Sequence, residues 1–204
     1  FNLIFNSKYS FYIIICLVTI TMLSSFKAGF FSSDYEFSKK IRETNEIKAK
    51  GSLFALYTDF DGKIETAEKL KLMGVVPWWT DGKIKKSFWR PVSEFFHFID
   101  YSLWPKHPFV MHLHSFIWFL GILYILFLFV QKTESILPVA SLSVLLFGFD
   151  TSTVTSFSIL HNRSMLLAVF FSLYSMYAYL CYRKDGWNKG KILAPISLLL
   201  ALLS

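Results

Sequence analysis

Charge is what this sequence has least of, and the little it has is unevenly placed. Charged residues fill 17% of the 204 positions, against roughly a quarter in an average soluble domain. Residues 1–31 hold two of them and 107–182 hold four, whereas 32–106 hold twenty-four. A stretch as long as 107–182 with four charges cannot coat a water-facing globule, which excludes a soluble protein. Cysteine is scarce too. Cys16 and Cys181 both lie in apolar runs and read as small buried hydrophobes, which excludes a disulfide framework or a cysteine metal site. Neither an internal repeat nor a low-complexity tract is present. The formal net charge of +7 does not point to nucleic acid. Residues 32–106 interleave thirteen Lys/Arg with eleven Asp/Glu, so no basic stripe forms.

What is abundant is apolar and aromatic: 54% and 19% of residues, with 23 phenylalanines. The fold class this predicts is an all-α integral membrane protein, a multi-span helical bundle. A bilayer core needs about 20 mostly apolar residues to be crossed as a helix. Residues 9–31 meet that requirement, and later spans favour an uncleaved helix over the competing signal-peptide reading. Further spans are expected at 109–130, at 136–149 after the tight QKTES connection, at 164–181, and from about 192 onward. Three segments follow: 1–31 as the first transmembrane helix, 32–106 as an extracytoplasmic loop with an interfacial helix, and 107–204 as transmembrane helices two to five, the last cut short. The chain opens at Phe1 and is still apolar at Ser204, so the reading expects the N-terminal part of a longer protein.

Short-loop Lys/Arg sets the orientation. The connection 181–191 carries Arg183, Lys184, Lys189 and Lys191, whereas the one around 160–163 offers only Arg163. The basic side is therefore expected in the cytoplasm together with the N-terminus, and the long segment 32–106 outside.

Within that segment, 34–50 and 63–73 read as charged, exposed helices. From Pro91, Val92, Phe95, Ile99 and Leu103 recur at helical spacing, widened by Phe96, Phe98 and Trp104. With Trp78, Trp79 and Trp89 this predicts an amphipathic helix on the membrane surface, its apolar face buried in lipid or against the spans. Substitution at Phe95 or Ile99 should then cost more than at Ser93. The run DFDGKIETAE (59–68) approaches a calcium-loop pattern, but position one would be Tyr57, so a tight Asp-Gly turn is expected instead. His112 and His114, two residues apart on a helix, point to different sides and do not share a metal.

Asp150 ends an apolar run that spans only about 21 Å at 1.5 Å per residue, so it is expected below the outer surface, where a charge marks a functional site. Arg163 is its only oppositely charged neighbour in sequence. The two readings are an Asp150–Arg163 ion pair joining two helices, or a site in which Arg163 binds phosphate at a helix start.

The order of these motifs resembles a family. SDYEF after the first span is similar to the acidic motif in the first outer loop of GT-C glycosyltransferases. FWRPVSEFFHFIDYSLWP followed by HLHSFIW resembles a segment of bacterial relatives of protein O-mannosyltransferases, and FDTSTVTSFSILHNRSMLLAVFF resembles the segment opening their fourth helix. The resemblance implies a larger multi-span enzyme of the bacterial inner membrane, with a polyprenyl-phosphate-linked sugar donor and the lipid bilayer as partners. Where the family often has paired acids, this chain has Ser33-Asp34. Asp34 is thus the expected catalytic base, unless it only caps a helix beginning near Tyr35. Glu36, Arg90, Asp150, His161 and Arg163 are the expected substrate-binding residues. No cofactor is specified; a divalent metal is compatible with neutralising the phosphate leaving group. The alternative is a non-catalytic membrane scaffold or lipid carrier of the same fold.

Overall fold

The computed structural model describes residues 9–46 and 56–204; the end of the helix expected over 34–50 lies outside them. The elements are α1 (Ser10–Met22, continued by a 3-10 turn Leu23–Lys27), α2 (Ser32–Glu46), β1 (Thr58–Asp61), α3 (Ile64–Leu72), β2 (Lys85–Ser87), α4 (Pro91–Leu103), α5 (Pro108–Glu134), α6 (Leu137–Gly148), α7 (Thr151–Ser158), a 3-10 turn Leu160–Asn162, α8 (Arg163–Asp185) and α9 (Gly190–Leu202). Helix dominates, as expected. The exception is a two-stranded antiparallel ribbon that pairs Thr58 with Ser87 and Asp61 with Lys85.

Among the described residues, three helices are long and apolar enough to cross a membrane: Ser10–Lys27, Pro108–Glu134 and Leu160–Asp185. They make this a membrane protein. The expected third and fifth crossings are shorter apolar helices, α6 and α9. α6 has 12 residues, about 18 Å of helix against a core of roughly 30 Å. The first span is also shorter than 9–31, because residues 28–31 leave the helix.

Local chemistry sets the ends. α4, α5 and α6 each begin with proline at the first helical positions, where the missing N–H has no helical partner to lose. α8 stops at Gly186, whose φ of 69° is readily adopted only without a Cβ. α5 stops at Ser135, which takes the same left-handed conformation at φ 55°.

Two cores result. The first lies among the spans: Ile14, Val18, Phe119, Ile122, Leu123 and Val144 are buried, with Leu166 from α8. Gly148 lets α6 approach α1, since a Cβ there would meet Val18 Cγ2 at 2.8 Å. The hydroxyls of Ser10 and Ser141 bond at 2.8 Å nearer the other end of the same pair. The second core contains Phe37, Ile41, Leu56, Tyr57, Tyr101, Met111 and Leu160. It sits where α2, β1 and α4 meet the starts of α5 and α8.

α4 corrects the expectation made for it. Its inward face is Ser93, Glu94, His97, Asp100 and Tyr101, all buried, while Phe95 is 58% and Leu103 62% exposed. Ser93 Oγ donates to the Ser204 carbonyl oxygen at 2.8 Å. The tolerance expected at Ser93 is therefore reversed, because a carboxylate there would be buried without compensation. Phe95 and Leu103 point away from the protein, whereas Val92 and Ile99 are half-buried and Phe96 packs on Trp118, so the polar groups of this helix find their partners inside.

Candidate functional site

The site begins with the turn that follows the first span. Asp34 is the third residue of α2, and its Oδ2 accepts from the Phe31 N–H at 2.8 Å. This is the backward half of a capping box, so the helix begins at Ser32 and not near Tyr35. Oδ1 accepts from the His161 N–H at 3.1 Å. Asp34 thereby ties α2 to the 3-10 turn before α8. It is 1% exposed. Burial raises its pKa, outweighing the two N–H bonds that favour the charged form.

Tyr57 stands at the centre of the neighbourhood. Its ring lies 5.5 Å from that of His161 and 5.2 Å from Phe37. The Arg90 guanidinium sits 5.0 Å above the Tyr57 ring and 5.3 Å from Phe88, and its Nη1 donates to Ser164 Oγ at 3.0 Å. Burial pushes the Tyr57 phenol up to about 12. Two expected site residues, Arg90 and His161, thus meet at one tyrosine, and a third, Asp34, is tied to them through the His161 backbone N–H. Arg90 also lines a cleft of about 400 Å³ whose other walls include Trp89, Ser164, Met165, Ala168 and Leu202.

Arg163 lies beside this group, fully buried and fully engaged. Its Nη1 pairs with Asp100 Oδ2, Nε donates to Ser115 Oγ at 3.0 Å, and Nη2 donates to the Met111 carbonyl oxygen at 2.8 Å. The partner of Arg163 is therefore Asp100 and not Asp150. The second oxygen of Asp100 bonds His114 Nδ1 at 2.8 Å, and His114 Nε2 accepts from Trp118 Nε1 at 3.1 Å. This chain of bonds locks α4 to both α5 and α8.

Asp150 and Glu36 are not brought into the cluster. Asp150 is exposed and caps α7, its Oδ1 accepting from the Ser152 N–H at 3.2 Å. It lines a different cleft of about 440 Å³ with Ser152, Ser156, Ile122 and Leu166. The two clefts share Met165 and Ala168. Glu36 is exposed on α2. Asp61, at the Asp-Gly turn, accepts from the Lys63 N–H at 3.0 Å and from Thr66 Oγ1 at 3.2 Å; those bonds hold its carboxyl below the usual range.

Several buried groups were not singled out by the sequence. Glu94 Oε1 accepts from the Tyr57 N–H at 3.4 Å, and burial pushes its pKa up to about 7. His97 is held well below its ordinary value by burial and by the nearby positive charge of Arg163. Burial also raises the Tyr101 phenol. Glu94 Oε2, both His97 ring nitrogens, the Tyr101 hydroxyl and His161 Nδ1 have no hydrogen-bond partner among the described residues. Buried polar atoms of this kind are ordinarily met by ordered water or by a ligand. The signal for α4 was available: Ser93, Glu94, His97, Asp100 and Tyr101 form a polar stripe at spacings of one, three, three and one.

A divalent metal finds no fitting donor set here. Among the described residues no group of three or more His, Cys, Asp or Glu is arranged to hold one, and both Asp34 oxygens already accept backbone N–H bonds. Comparison of the chain with family models, with curated proteins and with solved structures gave no match.

Proposed function

We propose that this chain belongs to a GT-C-type membrane glycosyltransferase that moves a sugar from a polyprenyl-phosphate-linked donor to an acceptor at the outer face of a bacterial inner membrane. The N-terminus and the connection 181–191 are cytoplasmic in this reading. The observation that carries it is the meeting of Arg90 and His161 at Tyr57, with Asp34 bonded to the His161 N–H, beside a cleft that joins a guanidinium to apolar walls. Such a cleft suits an amphiphile with an anionic head. Arg90 takes the phosphate, for which a guanidinium offers a bidentate fit. Met165, Ala168 and Leu202 receive the start of the lipid chain.

In the transfer step the acceptor oxygen bonds to the anomeric carbon as the bond from that carbon to the phosphate oxygen breaks. The electron pair leaves on the phosphate, where Arg90 stabilises the developing charge. The acceptor proton passes to Asp34. A carboxyl whose pKa is raised by burial is a stronger base than an exposed one. Arg163 acts as a positioning residue, holding α4 and hence the Arg90 end of that helix against α8.

A second reading, a non-catalytic scaffold or lipid carrier, is favoured by one observation: both Asp34 oxygens serve bonds that shape the fold. Sugar transfer from labelled polyprenyl-phosphate donors by the reconstituted full-length protein separates the two. The enzyme reading expects turnover that falls 10²–10⁴-fold in Asp34→Asn, the size of a general-base contribution, with donor binding retained. Asp59→Asn should change little, and Arg90→Ala should weaken donor binding. Near-normal turnover in Asp34→Asn removes the base assignment. Donor binding without transfer by the unmodified protein leaves the carrier.

A further inference from the structure

A groove unrelated to this site runs along the pair α8 and α9 toward the basic end of the bundle. It has a volume of about 530 Å³, with walls that include Met176, Tyr179, Tyr182, Pro195 and Leu198, and Lys191 also lines it. Two features of the helix pair build it. Gly190 brings the start of α9 against the Ala178 carbonyl oxygen so closely that no Cβ would fit. Ser175 Oγ holds the next turn by donating to the Ala194 carbonyl oxygen at 2.7 Å. Pro195 lies inside α9 and has no N–H to give the Lys191 carbonyl oxygen, so the helical bond that would tie that carbonyl to residue 195 is missing.

The charges around the groove are unequal in kind. Lys132 is paired with Asp185 at 2.5 Å, and Lys184 donates to the Lys132 carbonyl oxygen at 2.9 Å. Lys191 has no acidic partner among the described residues and is exposed. A cation above an apolar trough, on a short apolar helix packed against one long enough to span a bilayer, matches an anionic phospholipid. Basic pockets between transmembrane helices bind such headgroups.

We propose that the α8–α9 groove holds an anionic phospholipid with a hydroxylated headgroup, such as phosphatidylglycerol. Its phosphate meets Lys191 and its acyl chain lies along Met176, Pro195 and Leu198. A headgroup hydroxyl donates to the Lys191 carbonyl oxygen, which Pro195 leaves without its usual helical donor. This assignment is independent of the transferase reading.

The test is native mass spectrometry of the full-length protein released from nanodiscs of phosphatidylglycerol or phosphatidylcholine. Phosphatidylglycerol should stay bound and phosphatidylcholine should not. Lys191→Gln should weaken retention about fivefold, the contribution of one basic side chain near an anionic headgroup, and Lys189→Gln should leave it unchanged. Met176→Trp, which fills the trough without touching the charge, should also displace the lipid. Equal retention of the two lipids overturns the proposal, as does full retention in Met176→Trp. A photo-crosslinker at Leu198 should capture lipid; capture of a second copy or of another part of the chain would show that protein covers the groove.

Discussion

The two cores of this protein are built on opposite terms. Among the spans, Ile14, Val18, Phe119, Leu123 and Val144 pack with no polar atom to satisfy. At the end where α2 and α4 fold over the bundle, aromatic residues surround a buried ion pair and several buried titratable groups. The first core follows from packing alone. The second depends on pairing, since a buried charge is tolerated only with its partner present. The contrast teaches where change should be tolerated: the apolar core accepts another apolar group of similar size, and the polar one accepts replacement only of whole pairs.

The largest expected effect breaks that pairing. Arg163→Ala should lose about 3–5 kcal/mol by stranding the Asp100 carboxylate. Replacing both, as Arg163→Met with Asp100→Leu, should recover most of it, read by thermal unfolding in detergent. Removing Asp150 instead should rescue nothing. Rescue through Asp150 would restore the ion pair that the geometry rejects.

Next comes Leu123→Ala in the apolar core, expected to lose about 2–5 kcal/mol from lost contacts and a residual cavity. Its loss should be the same at pH 5 and pH 8, because no titrating group shares that core. A pH-dependent loss would blur the distinction between the two cores.

A smaller effect sharpens the comparison through Glu94. Its pKa rises from 4.5 when free to about 7 in the folded protein. Folding therefore takes up a proton between those values. The associated stability is fully present below pH 4.5 and is lost as pH rises through about 7. Melting temperatures should fall over that window, and Glu94→Gln should flatten the profile. An unchanged slope in Glu94→Gln would assign the titration to another group. The smallest change is Asp150→Ala, expected to lose about 1 kcal/mol as an N-cap, measured in the same unfolding assay.

How much of this was legible beforehand differs by region. Run length located the three long apolar helices within a few residues, because a bilayer demands such helices whatever they pack against, whereas the expected third and fifth crossings are shorter helices. α4 was located correctly, but its polar stripe was not recognised as the buried face, so Ser93 was expected to tolerate a charge. Its apolar stripe at Val92, Phe95, Ile99 and Leu103 is as regular as its polar one, and periodicity alone does not say which stripe meets protein and which meets lipid. Asp34 and His161 stand 127 residues apart and are joined by a backbone N–H, a donor every residue carries. Nothing in sequence marks that meeting.

By itself, then, the sequence determined that this chain lives in a membrane, where its helices lie and which segment is polar, since each follows from local composition and the hydrophobic thickness of lipid. Only the tertiary structure decided which charges meet. Arg163 has Asp150 thirteen positions away and Asp100 sixty-three away, and it takes Asp100. α4 folds back over the starts of α5 and α8 and brings its carboxylate to a guanidinium that has no water to turn to, whereas Asp150 remains exposed and caps its own helix. Desolvation, which depends on every element packed around a group, selects the partner, and no spacing along the chain encodes it.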